Sequence, residues 1–485
     1  MKENVAIIFD GLYGGGAERI AGLLSVYLAE RFNVYLFLER TDKFVYDYRG
    51  KIIDCGKSGT ELMEYNVMLA KKSLNIHYSI SFMEFFNYIN IKTKQDDVVI
   101  ISERCNLTCA APHSFYDELM IRRLYKYADH IVAISDGVRR GLIDKYGIAE
   151  EKITTINNFT DKESIVKKSE ESNFAFRKKA GKLIVSIGRL EEQKNHRRLL
   201  CQFKNLYDDD KDVQLVIIGN GSLYHELTEL VRQLEIDDAV TFFPYMSNPF
   251  SILKQADVFV LPSRYEGLGN VLIEAMCLGI PIIAVDCPSG PAELLSDSYN
   301  SNREITAAWK KHERGILVTP SPSEDDLSTT YLSEAIEYLL SSDEYRMRVI
   351  QNQKEYMSKY SNEKIFLDWV DVFNKAKKTR CDNKWNYEKK LDVIYGAGRY
   401  CRRLIREMKE ENRDIYAIMV SDLHNNPAEV EGIPVYDVAK LKDRRNDVNV
   451  ILGVYDFDSI EQICHLLKDN EFAYVERPMM FPEKE

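Results

Sequence analysis

The chain has no apolar run approaching the roughly 18–20 residues that a membrane helix needs. Nor does it show an export signal. Met1-Lys2-Glu3-Asn4 leads straight into Val5-Ala6-Ile7-Ile8-Phe9, a strand pattern too short and too early for that purpose. Cysteines are few and unpaired: there are nine, and the only close pair, Cys105 and Cys109, has no second pair to complete a zinc spacing. The expectation is reduced thiols in a cytosolic enzyme, with no metal and no cofactor. Positive charge is in deficit, with 65 Lys and Arg against 76 Asp and Glu, a formal net charge of -11. An acidic surface repels phosphate backbones, so nucleic acid is a poor partner. Short-period repeats and low-complexity tracts are also missing.

What is present is an ordinary globular composition, 45% hydrophobic over 485 residues, enough for two to four domains with cores of their own. Short apolar runs alternate with helical patterns, which predicts parallel sheets wrapped by helices. Val5–Phe9, Val34–Leu38, Val98–Ile101, Ile131–Ile134 and Ile153–Ile156 read as strands of a first unit. Thr160–Lys179 is polar and reads as a linker. A second unit carries Leu183–Ile187, Val213–Ile218, Val240–Phe243, Val258–Leu261, Ile282–Val285 and Ile316–Val318. Helices follow near Leu332–Leu340, Glu344–Lys359 and Asn362–Lys377. After a charged stretch, Arg380–Lys390, the pattern restarts with strands Leu391–Tyr395, Ile415–Val420 and Val448–Leu452 and helices Tyr400–Lys409 and Ile460–Leu467. The expected domains are residues 1–165 with a returning helix at 362–378, residues 180–360, and residues 388–485.

Three segments carry chemistry. In Leu261-Pro-Ser-Arg-Tyr-Glu266-Gly267-Leu268-Gly269-Asn270-Val-Leu-Ile-Glu274 a buried strand ends, a glycine loop follows and Asn270 offers an N-cap for a helix. A helix N-terminus suits a diphosphate, glycines let backbone approach a ligand closely, and two carboxylates suit sugar and ribose hydroxyls. A helix start with two solvated glutamates fits equally well. In Gly188-Arg189-Leu-Glu-Glu-Gln-Lys194-Asn-His196 a strand ends and two cations follow, where open α/β sheets bind ligands. Arg189 and Lys194 are placed to stabilise charge on a leaving diphosphate, or are two surface cations; His196 reads as a helix-start residue. In Phe9-Asp10-Gly11-Leu-Tyr-Gly14-Gly15-Gly16-Ala17-Glu18-Arg19 a glycine-rich loop is neither a Walker loop nor a dinucleotide fingerprint.

Taken in order, Gly14–Arg19, Val132-Ala-Ile-Ser135, Asn157-Asn158-Phe159, Gly188-Arg189…Lys194, Gly219-Asn220-Gly221, Ala256–Ser263 and Glu266…Glu274 resemble the family 4 retaining glycosyltransferases over about residues 4–378. The resemblance implies the GT-B fold, two Rossmann-like domains facing a cleft, here with a third small Rossmann-like α/β domain added. It implies a hexose or N-acetylhexosamine moved, with retention and without a metal, from a nucleotide diphosphate sugar, uridine being the expected base. The implied acceptor is a glycan, lipid-linked, of bacterial surface polysaccharide. It gives Arg189 and Lys194 the diphosphate, Glu266 and the Gly267–Asn270 backbone the sugar, and Glu274 the ribose. Gly188, Asn220, Gly221 and Tyr245 join the donor site. Gly15 and Gly16 face donor phosphate or acceptor, and Glu18, Glu103 and Arg104 are acceptor-side candidates.

The chain departs from the family where many members have a histidine; it has Glu103-Arg104, with His113 nearby. Pro244-Tyr245 replaces a frequent glycine at the base-binding turn. Asp208-Asp209-Asp210 precedes a strand and reads as a solvated run on a loop rather than a metal site. Tyr395-Gly396-Ala397-Gly398, with Asp422 further on, is a partial dinucleotide fingerprint; with Gly432-Ile-Pro-Val435 it resembles add-on domains of bacterial polysaccharide enzymes. Arg122, Arg123, Lys126, Arg139, Arg140 and Lys145 outnumber Asp129, Asp136 and Asp144, which suggests peripheral contact with an anionic membrane at the inner face of the cell membrane. An epimerase or phosphorylase of the same fold, and a non-catalytic sugar-nucleotide sensor, are the rival readings.

Overall fold

The structure is a computed structural model that describes residues 2–13, 16–56, 63–108, 115–171, 176–179, 181–297, 307–320, 329–380, 391–410, 414–445, 447–454, 457–470, 472 and 475–476. Gly14, Gly15, Cys109, His113 and the stretch 381–390 lie outside these residues.

Three sheets order the fold. The first holds β1 (Asn4–Phe9), β2 (Asn33–Leu38), β3 (Lys51–Asp54), β4 (Tyr78–Phe82), β5 (Val98–Glu103), β6 (His130–Ala133) and β7 (Ile153–Thr155), in the order β3-β2-β1-β4-β5-β6-β7. The second holds β8 (Lys182–Ile187), β9 (Val213–Ile218), β10 (Val240–Phe243), β11 (Val258–Leu261), β12 (Ile282–Val285), β13 (Trp309–Lys311) and β14 (Ile316–Val318), in the order β10-β9-β8-β11-β12-β14-β13. Its neighbours run parallel except β13 against β14. The third holds β15 (Leu391–Tyr395), β16 (Ile415–Val420), β17 (Glu429–Val430), β18 (Ile433–Asp437), β19 (Val448–Leu452) and β20 (Val475–Glu476), in the order β17-β18-β16-β15-β19-β20.

Strand order reverses beside the first strand of each sheet, between β1 and β4, β8 and β11, and β15 and β19. Chain leaving the C-terminal ends of such a pair diverges to opposite sides and opens a crevice. The strands are apolar because helices cover both faces of a parallel sheet: Leu183, Ile184 and Val185 in β8 and Val258, Phe259 and Val260 in β11 are fully buried. Each such side chain contributes about 1.5–3 kcal/mol on leaving water.

The chain forms two compact units: Met1–Ser102, Pro112–Ile131 and Phe373–Glu485 in one, Glu103–Ala111 and Val132–Val372 in the other. In the first, Phe373, from the helix Asn362–Lys378, stacks on Tyr78 at 4.6 Å and meets Phe32 edge-on at 5.1 Å. Thr379 Oγ1 donates to Asp129 O at 2.5 Å. The helix Phe457–Asp469 beside the third sheet packs against the helix Phe115–Leu124. Two ion pairs, Lys71–Asp97 at 2.9 Å and Lys94–Asp129 at 2.7 Å, are buried under the first sheet. Burial pulls the Lys71 ammonium below its ordinary value, while Asp97 holds it up.

The structure corrects several readings. The polar segment after Thr160 contains a helix, Lys162–Ser169, capped by Asp161, whose carboxylate accepts the Ser164 N–H at 2.9 Å. The apolar pattern does not mark it, because Ile165 is its one buried apolar residue. β4 was missed because Ser79 and Ser81 interrupt its apolar run; they are buried there, donating to Asp97 at 2.5 Å and Asn87 at 2.8 Å. Asp208 and Asp209 are not on a loop but end the helix His196–Asp209, Asp208 pairing with Lys204 and Lys211. Among the described residues no helix is long and apolar enough to cross a membrane.

Candidate active site

The two cationic and carboxylate segments leave the two strands that flank the switch point of the second sheet: Gly188–Lys194 follows β8 and Pro262–Gly269 follows β11. Lys194 Nζ donates to Glu266 Oε1 at 2.5 Å, and both side chains are mostly buried. The loop after β8 is held from both sides. Gln193 Nε2 donates to Tyr265 O at 3.0 Å, and the Arg264 N–H donates to Gln193 O at 2.8 Å. Arg189, exposed, donates from Nη2 to Gln193 Oε1 at 3.0 Å. Glu191 accepts the Ser222 N–H at 2.9 Å and its hydroxyl at 2.8 Å, which holds its carboxyl below the ordinary range.

Glycines permit this packing. A Cβ on Gly221 would lie 2.2 Å from Leu190 O, and one on Gly219 would lie 2.0 Å from Gly188 O. Gly267 is equally constrained: its Cβ would lie 2.0 Å from Arg104 O. Side chains larger than hydrogen at these points would drive backbone from backbone.

The helix Asn270–Leu278 begins beyond Gly269, whose φ of 86° suits glycine. Gly269, not Asn270, is therefore the cap. The Asn270 carboxamide oxygen instead accepts from Asn158 Nδ2, and Asn158 Oδ1 accepts from Arg104. Glu274 sits one turn along this helix, half-buried. Asn220 Oδ1 accepts the Tyr245 N–H at 2.9 Å, so the loop after β9 shapes the turn after β10; the Tyr245 ring is 52% exposed.

Glu103 and Arg104 are buried and have internal contacts. Glu103 Oε1 accepts the N–H groups of Arg104 at 2.9 Å and Cys105 at 3.2 Å. Burial lowers the Arg104 guanidinium to about 10. Gly16 and Glu18 open the helix Gly16–Leu28 after β1, in the first unit. There Asp10 accepts from Arg40 Nε at 2.7 Å, and Arg40 lies over the Tyr13 ring at 4.2 Å. His196 begins its helix, buried, and burial followed by the Lys194 charge pushes it down to about 3, so it stays neutral and is no proton carrier at ordinary pH.

Some supporting residues gave no signal in the sequence. Ser289 Oγ donates to Glu266 O at 2.5 Å and accepts from Asn106 Nδ2 at 3.3 Å. Glu293 accepts the N–H groups of Asp136 at 2.7 Å and Gly137 at 2.9 Å at the start of the helix Asp136–Tyr146; burial nevertheless raises its carboxyl. Both act on main-chain groups, which sequence does not mark.

Residues 167–356, which include this site, match the family described as Glycosyl transferases group 1, and residues 107–164 match Glycosyltransferase Family 4. The chain belongs to the family 4 glycosyltransferases. It is 28% identical over 319 residues to the N-acetylgalactosamine-N,N'-diacetylbacillosaminyl-diphospho-undecaprenol 4-alpha-N-acetylgalactosaminyltransferase of Campylobacter jejuni, covering 61% of this chain and 84% of that protein. It is 26% identical to the amylovoran biosynthesis glycosyltransferase AmsD of Erwinia amylovora, covering 76% and 99%. Among solved structures it is similar to sucrose-phosphate synthase from Thermosynechococcus elongatus, with a TM-score of 0.61, 16% identity and 78% and 100% coverage. It is also similar to Anabaena HepE in complex with UDP-glucose, with a TM-score of 0.59, 15% identity and 76% and 99% coverage. The likenesses to solved structures establish the GT-B fold of Rossmann-like α/β domains for this glycosyltransferase.

Beside the third sheet, this glycosyltransferase keeps Gly396 with φ of 106° after β15, and Gly398 with nothing within 4 Å of an added Cβ. Asp422, after β16, accepts the N–H of His424 at 2.8 Å within its own turn.

Proposed function

We propose that the chain moves a hexose or N-acetylhexosamine, with retention, from a uridine diphosphate sugar to a lipid-linked glycan, without a metal. The observation that carries this reading is the Lys194–Glu266 pair at the switch point, with Arg189 beside it and a helix N-terminus at Gly269. A nucleoside diphosphate leaving group gains negative charge as the glycosidic bond breaks. Two cations and a helix dipole are the groups that stabilise such charge without a metal. In this reading Arg189 and Lys194 hold the diphosphate, Glu266 and the N–H groups of Gly267–Asn270 hold the sugar, and Glu274 holds the ribose. The base lies against the Asn220–Tyr245 turn, and Gly15, Gly16 and Glu18 serve donor phosphate or acceptor. The name of the Campylobacter relative contains diphospho-undecaprenol, and Anabaena HepE is seen in complex with UDP-glucose; both support this choice of substrates.

Work on a lipid-linked acceptor brings the protein to the cytoplasmic face of a membrane. Its cations there are partly compensated: Arg122 pairs with Glu118, Arg139 with Asp136 and Glu150, and Arg140 with Asp136. The membrane contact in this reading is accordingly weak and lost at high salt.

The test is a panel of radiolabelled nucleotide sugars with a lipid-linked glycan acceptor. Transfer with retained anomeric configuration, undiminished by EDTA, supports the reading. Isomerisation of free donor, or nucleotide binding with no turnover, overturns it.

A further inference from the structure

We propose that Gln193 is a positioning residue that holds the Arg189 guanidinium ready for the leaving diphosphate without itself adding a competing negative charge. This rests on the donor-site reading above and deepens it.

The orientation of the Gln193 carboxamide is fixed by its partners. Its nitrogen donates to Tyr265 O at 3.0 Å, so its oxygen is the end that faces Arg189, which donates to it at 3.0 Å. The Gln193 main chain is fixed as well, since its carbonyl accepts the Arg264 N–H at 2.8 Å. One residue therefore joins the loop that bears Arg189 to the main chain immediately before Glu266. An exposed arginine carries roughly 2 kcal/mol of side-chain rotational entropy, and an acceptor that orders it before the ligand arrives removes part of that cost from binding.

The chemical identity of the acceptor matters more than its presence. Lys194, the neighbouring cation, is paired with a carboxylate, Glu266. Arg189 is held by a neutral amide. Glu191 attracts Arg189 through its charge, but its oxygens take their hydrogen bonds from Ser222 and it does not orient the guanidinium. A neutral acceptor orients the guanidinium without competing for its charge. A glutamate at this position would bind Arg189 more strongly, add negative charge beside a dianionic ligand, and lose the donor to Tyr265 O.

The experiment is a double-mutant cycle. Gln193→Met and Gln193→Glu are each made in the parent and in Arg189→Ala, with kcat/KM for the donor and UDP affinity by calorimetry as readouts, and thermal midpoints to confirm folding. The expected result is that Gln193→Met lowers kcat/KM about tenfold in the parent, the scale of one hydrogen bond to a charged group. In Arg189→Ala it costs less than about twofold, because its target is gone. Gln193→Glu keeps the shape yet weakens UDP binding more than Gln193→Met does. An equal loss from Gln193→Met in both backgrounds, or no loss in the parent, overturns the proposal, since a purely structural role in the loop acts irrespective of Arg189. If Gln193→Met does not fold, the same cycle with Gln193→Asn, a neutral amide one methylene too short to reach both partners, decides: its penalty must shrink when Arg189 is absent. A parent protein that neither binds UDP nor transfers sugar refutes the donor-site reading itself, and this proposal falls with it.

Discussion

Glu266 and Lys194 form one electrostatic unit, so neither is replaced without affecting the other. Glu266→Gln removes the carboxylate that competes with a diphosphate for Lys194. It is expected to leave UDP binding as tight as in the parent or tighter, while kcat falls. Glu274→Gln, assigned to the ribose and remote from the reacting bond, is expected to weaken UDP binding more. Calorimetry with UDP and steady-state kinetics separate the two, and weaker UDP binding by Glu266→Gln than by Glu274→Gln refutes the assignment. A third carboxyl makes a pH prediction. Burial, and then Asp10, push Glu39 up from 4.5 to about 7. The folded chain therefore favours its neutral form. That contribution is complete below pH 4.5, where folded and unfolded chains are both protonated, and it is lost as pH rises towards 7. Glu39→Gln should raise the thermal midpoint relative to the parent at pH 8 and leave it nearly unchanged at pH 4; equal differences at both pH values would contradict this.

At the scale of elements, the site depends on loops packed backbone to backbone. Gly221→Ala places a methyl group 2.2 Å from Leu190 O, so the loop after β8 must move. A loss of tenfold or more in kcat/KM is expected, since displacements near 1 Å at a catalytic loop have large effects. Gly398→Ala meets nothing within 4 Å and should leave both stability and transfer unchanged; the two variants, measured side by side, test whether glycine is required at the second sheet and dispensable beside the third. The second sheet was largely legible in the sequence because its strands are continuous apolar runs: Val213–Ile218, Val240–Phe243 and Val258–Leu261 have the predicted bounds. The first sheet was less so, because β4 hides Ser79 and Ser81 among its apolar residues and β3 is only half-buried. Within the site the motif residues were visible but their supports were not. Ser289 and Gln193 act through the main chain of Glu266 and Tyr265, and a carbonyl oxygen is the same in every residue.

At the scale of the whole molecule, the first unit includes Phe373, which stacks on Tyr78, Thr379, which donates to Asp129 O, and Arg380, which donates to Asp96 O at 3.2 Å. A chain ending at Lys384 retains these contacts and every residue assigned to the donor site. It is expected to fold and transfer sugar, with a lowered thermal midpoint because the helix Phe115–Leu124 loses its packing against Phe457–Asp469. A folded but inactive shortened chain would show that the third sheet completes the site. In the second sheet, Arg189 and Lys194, beside the switch point, are proposed to stabilise a departing nucleoside diphosphate. The most direct measurement is kcat/KM for sugar transfer from the nucleotide donor in Arg189→Ala, Lys194→Ala and the double variant, each verified as folded. A loss of about a hundredfold or more is expected for either replacement; a double variant that transfers sugar at the parent's rate would contradict this role for the two cations.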